Sequence, residues 1–262
     1  MKWLVIRIQG FIHYKELLLQ LVTKDIKLKY RRSFLGYVWS VLNPLLIMLV
    51  MTLVFSQLFR FEIPNYAVYF LSGQVLFTFM SEATTMASGS IVQSAALLKK
   101  TYVPKYIFPV ARVTSSLVNM AFSMIALAVV MIITGVIITP WILMFPLVLL
   151  QLYVFSLGLG LFLAQVTVFF RDIQYIYGVL TTAWTYLTPI IYPVEKLPDT
   201  IKGIVMYANP MYYYVAQFRD VILYGRPSEP YLIFAGVGAA LVFLSLGLWS
   251  FKRKQDKFIL YI

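Results

Sequence analysis

Long apolar runs separated by short polar segments dominate the hydrophobic pattern of the chain. A helix of about 20 apolar residues crosses a bilayer, so these runs predict six membrane-spanning helices. Within the fourth run, Ser156, Gly160 and Ala164 are spaced four apart, which predicts close packing against another helix. The predicted spans are residues 36–58, 66–91, 108–134, 141–170, 173–192 and 231–250.

Residues 11–32 precede the first span and place a lysine-rich face opposite an apolar face. This pattern predicts an amphipathic helix that lies at the membrane interface, in the plane of the headgroups, rather than crossing the membrane. The basic cluster at its end, Lys27, Lys29, Arg31 and Arg32, would hold it at the cytoplasmic leaflet.

The fifth predicted span meets Pro189 and Pro193 before it has finished crossing. Each proline lacks an amide donor, so the broken backbone must be covered by protein or by a water-filled cavity. Residues 193–229 then contain a short amphipathic piece, the Asn209-Pro210 break and an aromatic run. This order predicts re-entrant helices at one mouth of a pathway, and a pathway implies transport.

Several predicted spans carry polar stripes. A carboxylate within a span is costly against lipid, so Glu82 should face protein or water, with Arg112 or nearby hydroxyls as its partner.

In the fifth span, hydroxyls and rings share one face, opposite an aliphatic face. For any single ring, packing between helices is the alternative. The predicted pathway residues are Gln74, Thr78, Ser81, Glu82, Thr85, Asn119, Tyr177, Thr181, Trp184, Thr188, Tyr212, Tyr213 and Tyr214.

Composition narrows the class of protein. The chain is 61% hydrophobic and only 12% charged, which indicates an all-α integral membrane protein with a single domain over residues 1–262. The net charge of +12 could suggest a nucleic-acid partner. However, 17 of the 22 lysines and arginines fall on segments assigned to the cytoplasmic side. Membrane orientation therefore explains the charge, with both termini cytoplasmic and no nucleic acid bound.

Common catalytic and metal-binding patterns are missing from the sequence. There is no cysteine, His13 is the only histidine, and no glycine is followed by lysine as a Walker phosphate loop requires. We therefore expect no catalytic residue, metal site or cofactor in this chain. Glu195, Asp199 and Asp220 in the outer region leave open the alternative of a membrane-embedded, glycan-modifying enzyme.

Four motifs carry a resemblance that covers essentially the whole chain. They are LKYRRSFLGYVWSVLNPLLIML at 28–49, Arg171-Asp172-Ile173, LTPIIYP at 187–193, and Asn209-Pro210 ahead of an aromatic segment. Together they resemble the transmembrane subunit of bacterial type-2 ABC exporters of lipid-linked polysaccharides, which carry O-antigen, capsular polysaccharide or wall teichoic acid. An ABC efflux permease for drugs or small lipids is the alternative within the transporter class.

The resemblance implies a homodimer in the bacterial cytoplasmic (inner) membrane, with two copies of a separate ATPase that binds ATP and Mg²⁺. It also implies that residues 95–109 form a coupling helix seated in that ATPase, although an ordinary cytoplasmic loop would have a similar composition. At the outer mouth, rings facing the lumen would guide a lipid-linked glycan. The expected coupling residues are Lys99, Lys100, Tyr102, Lys105, Arg171 and Asp172.

Overall fold

A computed structural model describes residues 14–31, 35–58, 63 and 65–262, and these residues contain helices and turns but no strand. Residues 11–13 and 32 of the predicted amphipathic helix lie outside this part of the chain. The α-helices are α1 (Lys15–Tyr30), α2 (Val38–Leu58), α3 (Tyr66–Gln93), α4 (Ala95–Lys100), α5 (Ile107–Thr134), α6 (Phe145–Phe169), α7 (Ile173–Leu187), α8 (Asp199–Ala208), α9 (Pro210–Ile222) and α10 (Pro230–Lys254).

Short 3-10 helices follow or precede three of these elements. They are Pro140–Met144 before α6, Val194–Lys196 between α7 and α8, and Gln255–Leu260 after α10.

Four helical segments of the described residues are long and apolar enough to cross a membrane: Val38–Phe55, Ile107–Thr134, Pro140–Phe169 and Pro230–Leu260. Helix α3 is about 42 Å long, from its 28 residues, but it carries a polar stripe. Helix α7 has 15 residues and spans about 22 Å, which is less than the hydrocarbon core. Two of the six predicted spans are therefore not recognisable by length and apolarity. Helix α3 is long enough but carries polar side chains, and α7 is too short because prolines follow it.

Helix α3 runs through the middle of the bundle, where it packs along α5 and α6 and also touches α2, α7 and α9. Its large side chains Phe70, Phe79 and Met80 are almost completely buried. Lipid tails are as apolar as these side chains, so close packing between helices must supply much of the stability of such a bundle.

Small residues make the closest of these contacts. A Cβ atom built on Gly247 of α10 would overlap the carbonyl oxygen of Gly158 on α6, so only glycine fits there. Ser156 and Ala164 of the predicted ridge are fully buried, and a Cβ on Gly160 would come within 2.9 Å of Ala87 on α3. The prediction of close helix packing along this ridge is confirmed.

Replacing Gly247 with alanine should separate α6 from α10 and destabilise the protein by about 1–3 kcal/mol, because backbone rather than a flexible side chain occupies the space. The matched control is Gly238→Ala on the same helix, where a Cβ meets no atom within 4 Å. Thermal unfolding of the purified proteins in detergent provides the measurement. Equal Tm values for the two variants would contradict this packing.

Candidate functional site

The connection that follows α7 is held from within by Arg219 of α9, a side chain that is only 5% exposed. Its Nη1 donates to the Pro189 carbonyl at 2.7 Å, and its Nη2 donates to the Ile190 carbonyl at 3.1 Å and the Tyr69 carbonyl at 3.0 Å. The guanidinium also lies over the Tyr69 ring, 3.4 Å from the centroid. The planar fork of arginine, with five donors, suits a site where several carbonyl groups converge.

Two tyrosines of α3 bind the next two carbonyl groups of this connection. The Tyr66 hydroxyl donates to the Ile191 carbonyl at 3.0 Å, and the Tyr69 hydroxyl donates to the Tyr192 carbonyl at 2.8 Å. Four consecutive carbonyl groups, from residue 189 to residue 192, therefore receive side-chain donors in place of helical amides. A buried carbonyl without a partner would cost about 1–3 kcal/mol, so these donors offset the loss of helical hydrogen bonds at the break.

Asn209 joins the end of α7 to the start of α9. Its Oδ1 accepts from the Trp184 indole Nε1 at 2.7 Å and from the Met211 amide at 3.0 Å, which caps α9. Its Nδ2 donates to the Leu187 carbonyl at 3.2 Å and to the Thr188 hydroxyl at 3.1 Å. One amide side chain therefore fixes the angle at which the chain turns back.

Helix α7 has the two faces that the sequence predicts, but its polar face packs against protein. Tyr177 and Thr181 are each 7% exposed, and the Tyr177 hydroxyl lies 2.6 Å from the Thr84 hydroxyl of α3. The aliphatic residues Ile176 and Leu180 on the opposite face are more than half exposed. In this conformation Tyr177 joins α7 to α3 within one chain, while the Thr181 hydroxyl donates to the Tyr177 carbonyl of its own helix at 2.7 Å.

A cleft of about 410 Å³ opens between α2, α3 and α5, with Lys29 of α1 at its edge. Glu82 accepts two hydrogen bonds there, from Lys29 Nζ at 2.7 Å and from Asn119 Nδ2 at 2.9 Å. Gln74 donates to the Thr78 hydroxyl at 3.1 Å. This polar cleft brings together four of the predicted pathway residues: Gln74, Thr78, Glu82 and Asn119.

Arg112 does not pair with Glu82, so this one of the two candidate partners from the sequence is wrong. Its guanidinium pairs with Asp25 of α1, whose second carboxylate oxygen accepts from the Ser115 hydroxyl at 3.0 Å. The Asp25 side chain is only 7% exposed, so the ion pair lies at a packed contact between α1 and α5. Docking α1 on α5 in this way brings Lys29 to Glu82.

A second and larger cavity lies between the 189–197 connection, α8, α9 and the start of α10, with a volume of about 1170 Å³. We call it the outer basin, after the side of the membrane that the sequence predicts for this region. Arg226 Nε donates to Asp220 at 2.7 Å on one side of it. Burial raises the pKa of the Asp220 carboxyl, and the hydrogen bond and charge of Arg226 oppose that rise. Five tyrosines contribute to the lining: Tyr69, Tyr207, Tyr212, Tyr224 and Tyr231.

The remaining predicted pathway residues do not share one cavity within the described part of this single chain. Thr188 is buried beside Asn209, and Trp184 is half-buried there. Tyr212 lines the outer basin, whereas Tyr214 is buried and donates to the Gly236 carbonyl at 3.0 Å. Tyr213 is half-buried and donates to the Tyr207 carbonyl, while on α3 Ser81 is half-buried and Thr85 is exposed.

The residues expected to contact an ATPase divide into two groups. Lys99, Lys100 and Tyr102 are exposed on and just after α4, as are Arg171 and Asp172 in the turn between α6 and α7. Lys105 differs from them, because its ammonium group donates to the Gln255 carbonyl at 2.6 Å and lies over the Phe258 ring. Lys105 thus ties the segment after α4 to the end of the chain.

Arg219, Tyr66 and Tyr69 are the residues that sequence reasoning missed. The charge pattern places Arg219 among the five basic residues outside the cytoplasmic segments, but it is buried against the α7 break. An arginine among apolar and aromatic residues in a helix was the available signal, because a charge in that setting requires a partner.

Long apolar helices, a polar cleft between them and a proline-broken helix end define a multi-pass membrane protein. The chain belongs to the ABC-2 type transporter family, because the family model matches residues 16–223. The O-antigen export system permease protein RfbA of Myxococcus xanthus is 30% identical over 251 residues, which cover 95% of this chain and 96% of the relative.

Two further relatives also match over most of their length. The O-antigen export system permease protein RfbA of Klebsiella pneumoniae is 28% identical over 237 residues, covering 88% of this chain and 90% of the relative. The capsule polysaccharide export inner-membrane protein CtrC of Neisseria meningitidis serogroup B is 27% identical over 216 residues, covering 79% of this chain and 81% of the relative.

Replacing Arg219 with methionine should destabilise the protein by about 3 kcal/mol or more, because the Pro189 and Ile190 carbonyls lose their donors. Arg219→Lys should recover only part of this loss, since an ammonium group cannot reach all the carbonyls in the same plane. The exposed Arg171→Met is the matched control. We would measure Tm in detergent, and an Arg219→Met protein as stable as the control would disprove the role of this side chain.

Proposed function

We propose that this chain is the permease subunit of an ATP-driven exporter of lipid-linked polysaccharide, most closely of the O-antigen type, in the bacterial inner membrane. The observation that carries the proposal is the match over nearly the whole chain to a permease named for O-antigen export. The cleft between α2, α3 and α5 supports it, because amide, hydroxyl and carboxylate groups inside an apolar bundle suit a ligand rich in hydroxyls.

The proposed topology has six spans, with α8 and α9 re-entrant and both termini cytoplasmic. The distribution of basic residues supports this orientation. One end of the bundle carries α4, the α6–α7 turn and the C-terminal segment. These parts are joined by the Lys105–Gln255 hydrogen bond and by ring contact between Phe169 and Phe258 at 6.0 Å. Exposed basic residues gather at this end, as is usual for the cytoplasmic side: Lys99, Lys100, Arg171, Lys252, Arg253, Lys254 and Lys257.

Two copies of the chain would form the complete pathway. The cleft of about 410 Å³ in one chain matches the size of a small-molecule pocket, which is too small for a hydrated polymer. Leu49, Val50 and Leu53 of α2 are more than half exposed and are available for contact with lipid or with a second copy. The polar cleft borders this helix, so pairing there would enlarge the polar space.

A separate ATPase would supply the energy and would hold ATP and Mg²⁺ itself. Lys99 and Lys100 at the end of α4, together with the almost fully exposed Tyr102, form the proposed contact with that partner. We propose that Lys105 stabilises this surface, because its ammonium group already binds the Gln255 carbonyl.

Deleting the gene should abolish surface polysaccharide and leave lipid-linked polymer inside the cell, and the wild-type chain should restore export. Combining Gln74→Leu with Thr78→Val removes two of the polar groups of the cleft while keeping similar volumes, so we expect export to fall about fivefold or more. Thr182→Val, on the exposed surface of α7, is the matched control. Immunoblots of surface polymer and of the permease measure the effect.

Undiminished export by the double variant would contradict the proposed role of the cleft. Normal surface polysaccharide in the deletion strain would contradict the proposed function itself.

A further inference from the structure

The outer basin has features of a built site that lies apart from the polar cleft. Its volume of about 1170 Å³ exceeds that of the cleft and of a typical small-molecule pocket. Two of its lining residues, Arg219 and Tyr69, are hydrogen-bonded to the carbonyl groups of the α7 break. Its walls come from α8, α9 and the segment that leads into α10.

Aromatic rings line the basin while remaining accessible. The Tyr207 side chain is 77% exposed, that of Tyr224 is 49% exposed and that of Tyr231 is 41% exposed. All three residues line this cavity, and each has an aromatic ring and a hydroxyl group. Sugar rings present C–H faces and hydroxyl groups, so they can stack on such rings and exchange hydrogen bonds at their edges.

Polar donors and acceptors flank these rings. Arg226 uses its Nε to hold the buried Asp220, and its side chain is 61% exposed, so its Nη groups are available to a ligand. The guanidinium carbon also lies 5.3 Å from the centre of the Tyr224 ring. Stacking surface and hydrogen-bond donors therefore lie next to each other on one wall.

The charges of the basin are balanced. The donors of buried Arg219 are directed to carbonyl groups, so this residue adds little to the accessible charge. A basin built for a polyanion would have an excess of cations, as other anion-binding sites do. The remaining charged groups of the lining are the acids Glu195, Asp220 and Glu229 and the bases Lys196, Lys202 and Arg226.

We propose that the outer basin is a binding subsite for an uncharged, hydroxyl-rich saccharide segment. This inference rests on the proposed function, because an exported polysaccharide is the ligand that would arrive at this end of the protein. Tyr207 and Tyr224 supply the stacking surfaces, and Arg226 supplies hydrogen bonds. The subsite would hold the polymer as it leaves the pathway and so oppose backward movement.

The test uses the full-length chain in lipid nanodiscs. The probe is the oligosaccharide released by mild acid from the surface polysaccharide of the same bacterium. Replacing both Tyr207 and Tyr224 with alanine should raise the Kd, measured by calorimetry, about fivefold or more. The double phenylalanine variant keeps the rings and should stay within about twofold of wild type. Ile204→Ala, at a 58% exposed position of α8 outside the basin, should have no effect.

Two further readouts are independent of transport. The saccharide should protect Tyr207 and Tyr224 from hydroxyl-radical oxidation, whereas Tyr175, which is 79% exposed on α7, should react as before. The Kd should change little between about 0.05 and 0.5 M salt, because an uncharged ligand is not subject to ionic screening.

Absence of binding by the wild type, an unchanged Kd in the double alanine variant, or steep salt dependence would each overturn the subsite. The deletion strain tests the proposed function separately. Export restored by a chain that shows no saccharide binding would overturn only the subsite, whereas failure of the wild-type chain to restore export would overturn the proposed function.

Discussion

The Arg219 guanidinium binds the carbonyl groups that follow α7, and this contact fixes the point where the chain leaves that helix. A helix that stops partway across a membrane exposes backbone oxygens to a medium that cannot hydrogen-bond them. Arg219, Tyr66 and Tyr69 bind four of these oxygens, and Asn209 then sets the start of the next helix. The prolines stop the helix, but these side chains make the break stable.

Helix α3 contacts different parts of the structure on its two sides. On one side, its tyrosines and Thr84 bind the α7 segment, while on the other side Gln74, Thr78 and Glu82 face the polar cleft. The outer basin lies beyond the break, above the buried Arg219. The same helix thus contributes residues to the lining of both cavities.

Sequence patterns predicted much of the helix framework, because proline, glycine and apolar run length act locally. The prolines that follow α7, the Asn209-Pro210 break and the ridge around Gly160 all belong to this local class. The partners of polar side chains were harder to predict. Glu82 binds Lys29 and Asn119 rather than Arg112, since the docking of α1 on α5 decides which charge is within reach. Long-range pairing of this kind depends on helix packing that spacing along the chain does not encode.

In the proposed topology the chain turns back at the proline break, so that α8 lies at the outer surface while the C-terminus lies at the inner one. The sequence contains no cysteine, so single cysteines can be introduced at exposed positions such as Thr200 and Lys257. The measurement is labelling by a membrane-impermeant maleimide in intact spheroplasts. With this topology, Thr200→Cys reacts at once and Lys257→Cys reacts only after permeabilisation. Labelling of both or neither in intact spheroplasts, or the reverse order, would contradict it.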